Sequence, residues 1–256
     1  MPVLDSLFEK VLPGQTREYQ LLVLNCYARI IPLIFFKAQR HLWKGTYFHS
    51  KGDSEKGARE FLVGSKIWSE SVIKKTKSTI KLWNEISPPQ KHHFLFVNHT
   101  NEMDFPFDCY VIGKPYLANQ TIKKTFFAYH WMKAMGSEVF DSSKQMSIAM
   151  SVKNIIRGLG TTSYIVYPEG RNTYTEEFQQ IKKGMVKLAF ENKIPIWMCV
   201  RSGAASFQKK QSGNTIHYKA LGTANPTDFN STEELLEHLQ KTMSAGKAEL
   251  NAKLEM

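Results

Sequence analysis

The chain has 256 residues, 42% of them apolar and 22% charged, which is ample for a buried core and excludes a disordered or collagen-like chain. Lysine and arginine number 34 against 23 acidic residues, a net charge of +11 that draws the protein to polyanions: nucleic acid, an anionic membrane face or a phosphorylated substrate. Three separated cysteines, Cys26, Cys109 and Cys199, form no disulfide framework and point to a reducing compartment.

Residues 1–18 carry Asp5, Glu9, Lys10 and Glu18 and no apolar run of the length a cleavable signal needs. The most apolar stretch, 19–36, contains Gln20, Asn25, Arg29 and Pro32, and Lys37, Arg40, His41, Trp43 and Lys44 follow it. A charge and a proline near the centre make a simple membrane span costly. An apolar face edged by Arg, Lys and Trp suits an interfacial helix, and the same pattern suits a buried helix or helix pair. Residues 49–60 are polar and contain glycine, so they read as a loop. A helical pattern then covers 61–83, made basic by Lys74, Lys75, Lys77 and Lys81, which read as a solvated face or a phosphate-attracting one. Ser87-Pro88-Pro89 ends it.

After the prolines, short apolar runs alternate with helical periodicity. Strands are expected at 94–97, 164–167, 194–200 and 215–220, and helices at 105–112, 126–135, 145–159, 176–191 and 231–256. The expected fold is α/β: a central mixed, partly parallel sheet flanked by helices, with an N-terminal helical membrane-associating segment. Residues 1–89 read as that basic helical region, 90–230 as the α/β core and 231–256 as a C-terminal helix.

Two segments directly behind strands carry the chemistry. Asn98-His99-Thr100-Asn101-Glu102-Met103-Asp104 follows the first strand, at the carboxyl end, where open α/β sheets bind ligands. A turn followed by a helix start would bring Asp104 onto one ring nitrogen of His99, leaving the other free to take a proton. No G-x-S-x-G supplies a serine nucleophile, so the pair suits a substrate that brings its own hydroxyl. Alternatively, His99 is a loop histidine satisfied by its neighbour. Tyr167-Pro168-Glu169-Gly170-Arg171-Asn172-Thr173 follows the second strand. There Gly170 permits a turn, Arg171 can fork onto a phosphate or carboxylate, and Glu169 can take a substrate hydroxyl or orient Arg171. Lys182-Lys183-Gly184 adds positive charge; an ordinary turn with a surface ion pair is the other reading.

Taken in order, these segments resemble the glycerolipid acyltransferase family, which includes 1-acylglycerol-3-phosphate and lysophospholipid acyltransferases of the H-x4-D type. Asn98, His99 and Asp104 match the first block, Tyr167 to Gly170 the third and Ile194-Pro195-Ile196 the fourth. The likeness covers about residues 90–202. It implies an O-acyltransferase in which His99 is the general base and Asp104 orients it, while Asn98, Glu169, Gly170, Arg171, Lys183 and Gly136 serve substrate binding. The implied donor is acyl-CoA or acyl carrier protein and the acceptor a lysolipid or glycerol phosphate, with no metal or other cofactor. Two departures touch phosphate binding. Ser142 stands where the second block, which starts at Gly136, has its Arg, and Arg171 follows Gly170 directly, without the usual Thr.

The expectation is a phospholipid-biosynthetic acyltransferase associated with the cytoplasmic face of a membrane. Its rivals are a lipid-binding, catalytically weak relative and a hydrolase using the same histidine with water. A nucleic-acid partner is not expected, because no recognition motif accompanies the charge.

Overall fold

In the computed structural model, which describes residues 12–124, 126–141 and 143–254, the Thr16 hydroxyl accepts from the Tyr19 main-chain N–H and opens α1, Arg17–Ala28. The apolar stretch breaks at Arg29 and continues as the short α2, Ile30–Phe35. Helices α3, Gln39–Ser50, and α4, Ser54–Lys75, follow. The loop expected over 49–60 shrinks to residues 51–53, because the Asp53 carboxylate accepts from the Lys56 N–H at 3.1 Å and starts α4 there. Gly57 marks close packing instead: a Cβ on it would lie 2.7 Å from the His49 ring of α3.

The helix expected over 61–83 ends at Lys75. Lys77 turns the chain at a φ of 47°, and Thr79–Leu82 forms strand β1. This largely exposed edge strand has no apolar face to set it apart from the preceding helix. The chain continues through β2 (Phe94–Val97), α5 (Asp104–Val111), β3 (Leu117–Asn119), α6 (Phe126–Ala134), β4 (Glu138–Phe140) and α7 (Gln145–Leu159). Then come β5 (Tyr164–Val166), α8 (Lys183–Glu191), β6 (Ile196–Ser202), β7 (Thr215–Ala224) and α9 (Thr232–Ala252).

The main sheet has the order β1-β7-β6-β2-β5. Strand β2 runs parallel to β5 and β6, β1 runs parallel to β7, and β6 and β7 are antiparallel. Strands β3 and β4 make a separate parallel pair. This is the expected mixed, partly parallel sheet. It draws on residues before position 90, since β1 belongs to it, so the sheet begins inside the stretch assigned to the N-terminal helices.

Both faces are covered. Leu95, Val97, Ile165 and Cys199 pack in one core with Tyr19, Cys26, Trp68 and Phe107. Phe94, Phe96, Val166 and Met198 pack in a second with Ile155, Val186, Leu235 and Leu239. All four residues of β2 are buried, which is why it reads as a continuous apolar run.

Helix α7 has the limits expected of it, and α9 starts where the Ser231 hydroxyl accepts from the Glu234 N–H. The helix expected from 176 begins only at Lys183. Its intended first turns find partners elsewhere. The Ile181 N–H donates to Gln240 Oε1 at 2.8 Å and the Lys182 N–H to the Pro168 carbonyl at 2.8 Å. Glu176 Oε1 meanwhile accepts from the Gly203 and Ala205 N–H groups. Long-range bonds override the local periodicity.

Candidate active site

The parallel strands β6, β2 and β5 end side by side, and each delivers a functional group at or just beyond its carboxyl end: Arg201, His99 and the segment from Tyr167 to Thr173. The turn after β2 closes as Asp104 begins α5, and this brings His99 and Asp104 together. His99 Nδ1–H donates to Asp104 Oδ2 at 2.8 Å. The Asp104 side chain is fully buried, whereas His99 keeps 18% of its side chain exposed, and Nε2 has no hydrogen-bond partner among the described residues. The Thr100 and Asn101 N–H groups also donate to Asp104 Oδ2. Burial alone would push this carboxyl up; the Arg201 guanidinium and the His99 bond outweigh it and hold Asp104 below the usual carboxylate range.

Arg201 is fully buried and was not singled out in the sequence. Its guanidinium donates to Asp108 Oδ1 and to the Asn98 carbonyl and forms an ion pair with Asp104 Oδ2. Asp108 lies one turn beyond Asp104 on α5. It also accepts from the Tyr167 and Tyr218 hydroxyls, each at 2.8 Å. Here burial wins over Arg201, and the Asp108 carboxyl is raised. The Tyr167 ring stacks on the His99 ring at 4.0 Å between centroids and 11° between planes. The available signals were two acids spaced i, i+4 and an arginine directly behind an apolar strand.

The expected binding residues divide. Glu169 is buried and accepts the His99 main-chain N–H at 2.6 Å; burial pushes its carboxyl up to about 7. Gly170 turns the chain at a φ of +68° and leaves Arg171 exposed, with no ion pair or hydrogen bond among the described residues. Asn98 is buried, and its side chain binds the main chain of Arg201 in both directions, at 2.7 and 3.0 Å. Gly136 follows α6 at a φ of +87°, with the Gly136 and Ser137 N–H groups closing the helix on the Lys133 and Met132 carbonyls. Lys183 pairs with Glu233 of α9. Asn98 thus ties the His99 turn to β6, and Gly136 terminates α6. Ser142 lies outside the described residues.

Glu102, three residues past His99, gathers Tyr19 from α1 and Asn172 and Tyr174 from the segment after β5. That segment is tied to the His99 turn a second time, by the Thr173 hydroxyl on the His99 carbonyl at 2.8 Å.

A family model described as Acyltransferase matches residues 79–202. The Caenorhabditis elegans protein acl-1, named as a 1-acyl-sn-glycerol-3-phosphate acyltransferase, is 28% identical over 185 residues, 66% of this chain and 68% of that one. The crystal structure of the 1-acyl-sn-glycerophosphate acyltransferase PlsC from Thermotoga maritima superposes with a TM-score of 0.69 at 18% identity, over 91% of this chain and 95% of that one. At that identity the likeness is one of fold.

Proposed function

We propose that this chain, which matches the acyltransferase family model and a 1-acyl-sn-glycerol-3-phosphate acyltransferase relative, is a glycerolipid acyltransferase that moves a fatty acyl group from acyl-CoA or acyl carrier protein to a hydroxyl of a lysophospholipid or glycerol-phosphate acceptor. The observation that carries this is the His99–Asp104 bond, with Nε2 left open at the strand end. Nε2 takes the proton of the acceptor hydroxyl as its oxygen attacks the thioester carbonyl. The C–O bond forms, the C–S bond breaks, and the imidazolium returns the proton to the leaving thiolate. Such base catalysis contributes about 10²–10⁴-fold. Arg171, exposed and uncommitted beside the Gly170 turn, holds the acceptor phosphate; a guanidinium forks onto phosphate oxygens.

A lysophospholipid acceptor lies in the membrane, so the enzyme meets it there. Leu21, Leu24, Ile31, Phe35, Phe36, Trp43 and Tyr47 are exposed large apolar side chains on or beside α1–α3, interleaved with exposed Lys37, Arg40 and Lys44. No helix of the described residues is long and apolar enough to cross a membrane. This face supports seating at headgroup depth on a membrane surface, where each Lys or Arg contributes about 1 kcal/mol toward anionic lipid, and the three free cysteines, Cys26, Cys109 and Cys199, support the cytoplasmic side.

The test is a mass-spectrometric panel of lysolipid acceptors against both thioester donors. Acceptor-dependent product is expected, and His99→Ala is expected to lose at least about 100-fold while keeping its melting temperature. Fatty acid released without acylated acceptor, or an unimpaired His99→Ala, would refute the proposal.

A further inference from the structure

Arg201 is unexplained by substrate binding. It is fully buried, one residue from the end of β6, and cannot reach a headgroup. A guanidinium taken out of water requires partners, and this one has two carboxylates and a carbonyl. Each carboxylate leads to His99 by a different path. Asp104 accepts the ring's Nδ1–H at 2.8 Å. Asp108 accepts the hydroxyl of Tyr167, whose ring lies flat against the imidazole at 4.0 Å. The strand that carries Arg201 is itself locked to the His99 turn, through both side-chain atoms of Asn98.

We propose that Arg201 is a positioning residue of the acyl transfer, fixing the His99 imidazole at its edge through Asp104 and at its face through Asp108 and Tyr167. An imidazole held at one nitrogen alone can rock about that bond; a second contact on its face removes this motion. The fork matters because its two arms reach two carboxylates at once, which an ammonium on a flexible stem does not reproduce. The charge matters because it balances Asp104, the carboxylate that His99 feels most directly. The other charged groups facing the site are Asp108 on α5, Glu169 on the His99 main-chain N–H, and Lys247 of α9, which donates to the Arg201 carbonyl and pairs with Glu176. The inference rests on His99 being the base.

The test separates charge from geometry in the full-length protein by following kcat and KM against pH. Arg201→Lys keeps the charge and loses the fork. Its kcat is expected to fall about tenfold, with KM within about twofold and the acid limb of the profile in place. Arg201→Gln loses the charge as well, so Asp104 draws a proton onto His99 more strongly and the acid limb moves up by about half a pH unit or more. If Arg201→Gln fails to fold, Arg201→Gln combined with Asp108→Asn removes the second carboxylate along with the cation and keeps the same expected direction. A purely structural arginine lowers the amount of active enzyme and leaves the limb where it was; that result, or an unchanged kcat in Arg201→Lys, overturns the inference. His99→Ala in the same assay distinguishes the two failures. If it stays active, the base assignment itself is wrong; if it is dead while the limb stays fixed in the glutamine variant, only the role of Arg201 is.

Discussion

The Tyr19 hydroxyl, on α1, donates to Glu102 Oε2 at 2.8 Å, so the helix that carries the proposed membrane face is hydrogen-bonded to the turn that holds His99. Tyr27, two turns further along α1, donates to the Glu102 carbonyl at 2.7 Å. The other carboxylate oxygen accepts from Tyr174 and Asn172. One glutamate therefore joins three segments that are far apart in sequence. Tyr19 is fully buried, so Tyr19→Phe removes a bond to a charged acceptor with little change of shape. The expected loss is about 1.5–3 kcal/mol of unfolding free energy. A double-mutant cycle with Glu102→Gln, read by urea denaturation, should return a coupling of about 1 kcal/mol. A coupling near zero would mean that α1 merely rests against the turn.

Glu169 gives the stability a direction with pH. Its carboxyl titrates at about 7 in the folded protein, against an ordinary 4.5, because burial outweighs the N–H bonds it receives. The folded state therefore binds this proton more tightly than the unfolded chain does. Its stabilising contribution is complete below about pH 4.5 and is lost as pH rises toward 7, to a total of about 3 kcal/mol. Glu169→Gln keeps an oxygen to accept the His99 N–H and cannot ionise. Compared with the parent, its unfolding free energy should decline less between pH 5 and pH 7.5, and the variant should be the more stable of the two at the higher value. Parallel curves for the two proteins would show that Glu169 ionises freely in the fold.

The part of the site legible in the sequence is the part built locally. His99 and Asp104 lie on one turn between a buried strand and a helix start, the arrangement under which the sequence allows their side chains to meet, and the bond forms there. Arg201 reaches the same carboxylate from a different strand. Its only local mark is its place after an apolar run, and an arginine there is as readily a solvated strand end. The same division explains the fold. Helix α7 carries its own periodicity and forms over the limits that periodicity predicts, while residues 176–182 carry a helical pattern yet are held irregular by Gln240, Pro168 and the amides around Gly203. Asn98 and Gly136 were matched to family blocks by identity, and the fold uses one as a strand clasp and the other as a helix terminator.

The proposed membrane face predicts a separation of binding from folding. Phe36 is 81% exposed and Trp43 69%, so neither contributes much to the core. Burying an aromatic side chain in an apolar phase contributes about 1.5–3 kcal/mol. Phe36→Ser with Trp43→Ser should therefore weaken sedimentation with anionic vesicles by at least about tenfold and leave the melting temperature unchanged. Equal partition of variant and parent would place the lipid contact elsewhere on the molecule.

Asp104→Asn tests whether the carboxylate is needed as a charge or only as an acceptor. Oδ2 accepts from His99, Thr100 and Asn101 and pairs with the Arg201 guanidinium, while Oδ1 is buried without a partner among the described residues. The amide oxygen of asparagine would take the Oδ2 position, because three donors and a guanidinium face it. Its NH2 group would then occupy the unpartnered corner, at a cost of about 1–3 kcal/mol for a buried donor left unsatisfied. The Nδ1 bond would survive, so the ring would keep its tautomer, but the imidazolium formed during transfer would lose its counter-charge. The expectation is a kcat lowered by about 10²–10⁴ with KM little changed, and a 15N spectrum of the His99 ring that still shows the proton on Nδ1. A variant with near-parental kcat would mean that orientation alone suffices. One whose ring proton has moved to Nε2 would mean that the carboxylate's charge selects the tautomer.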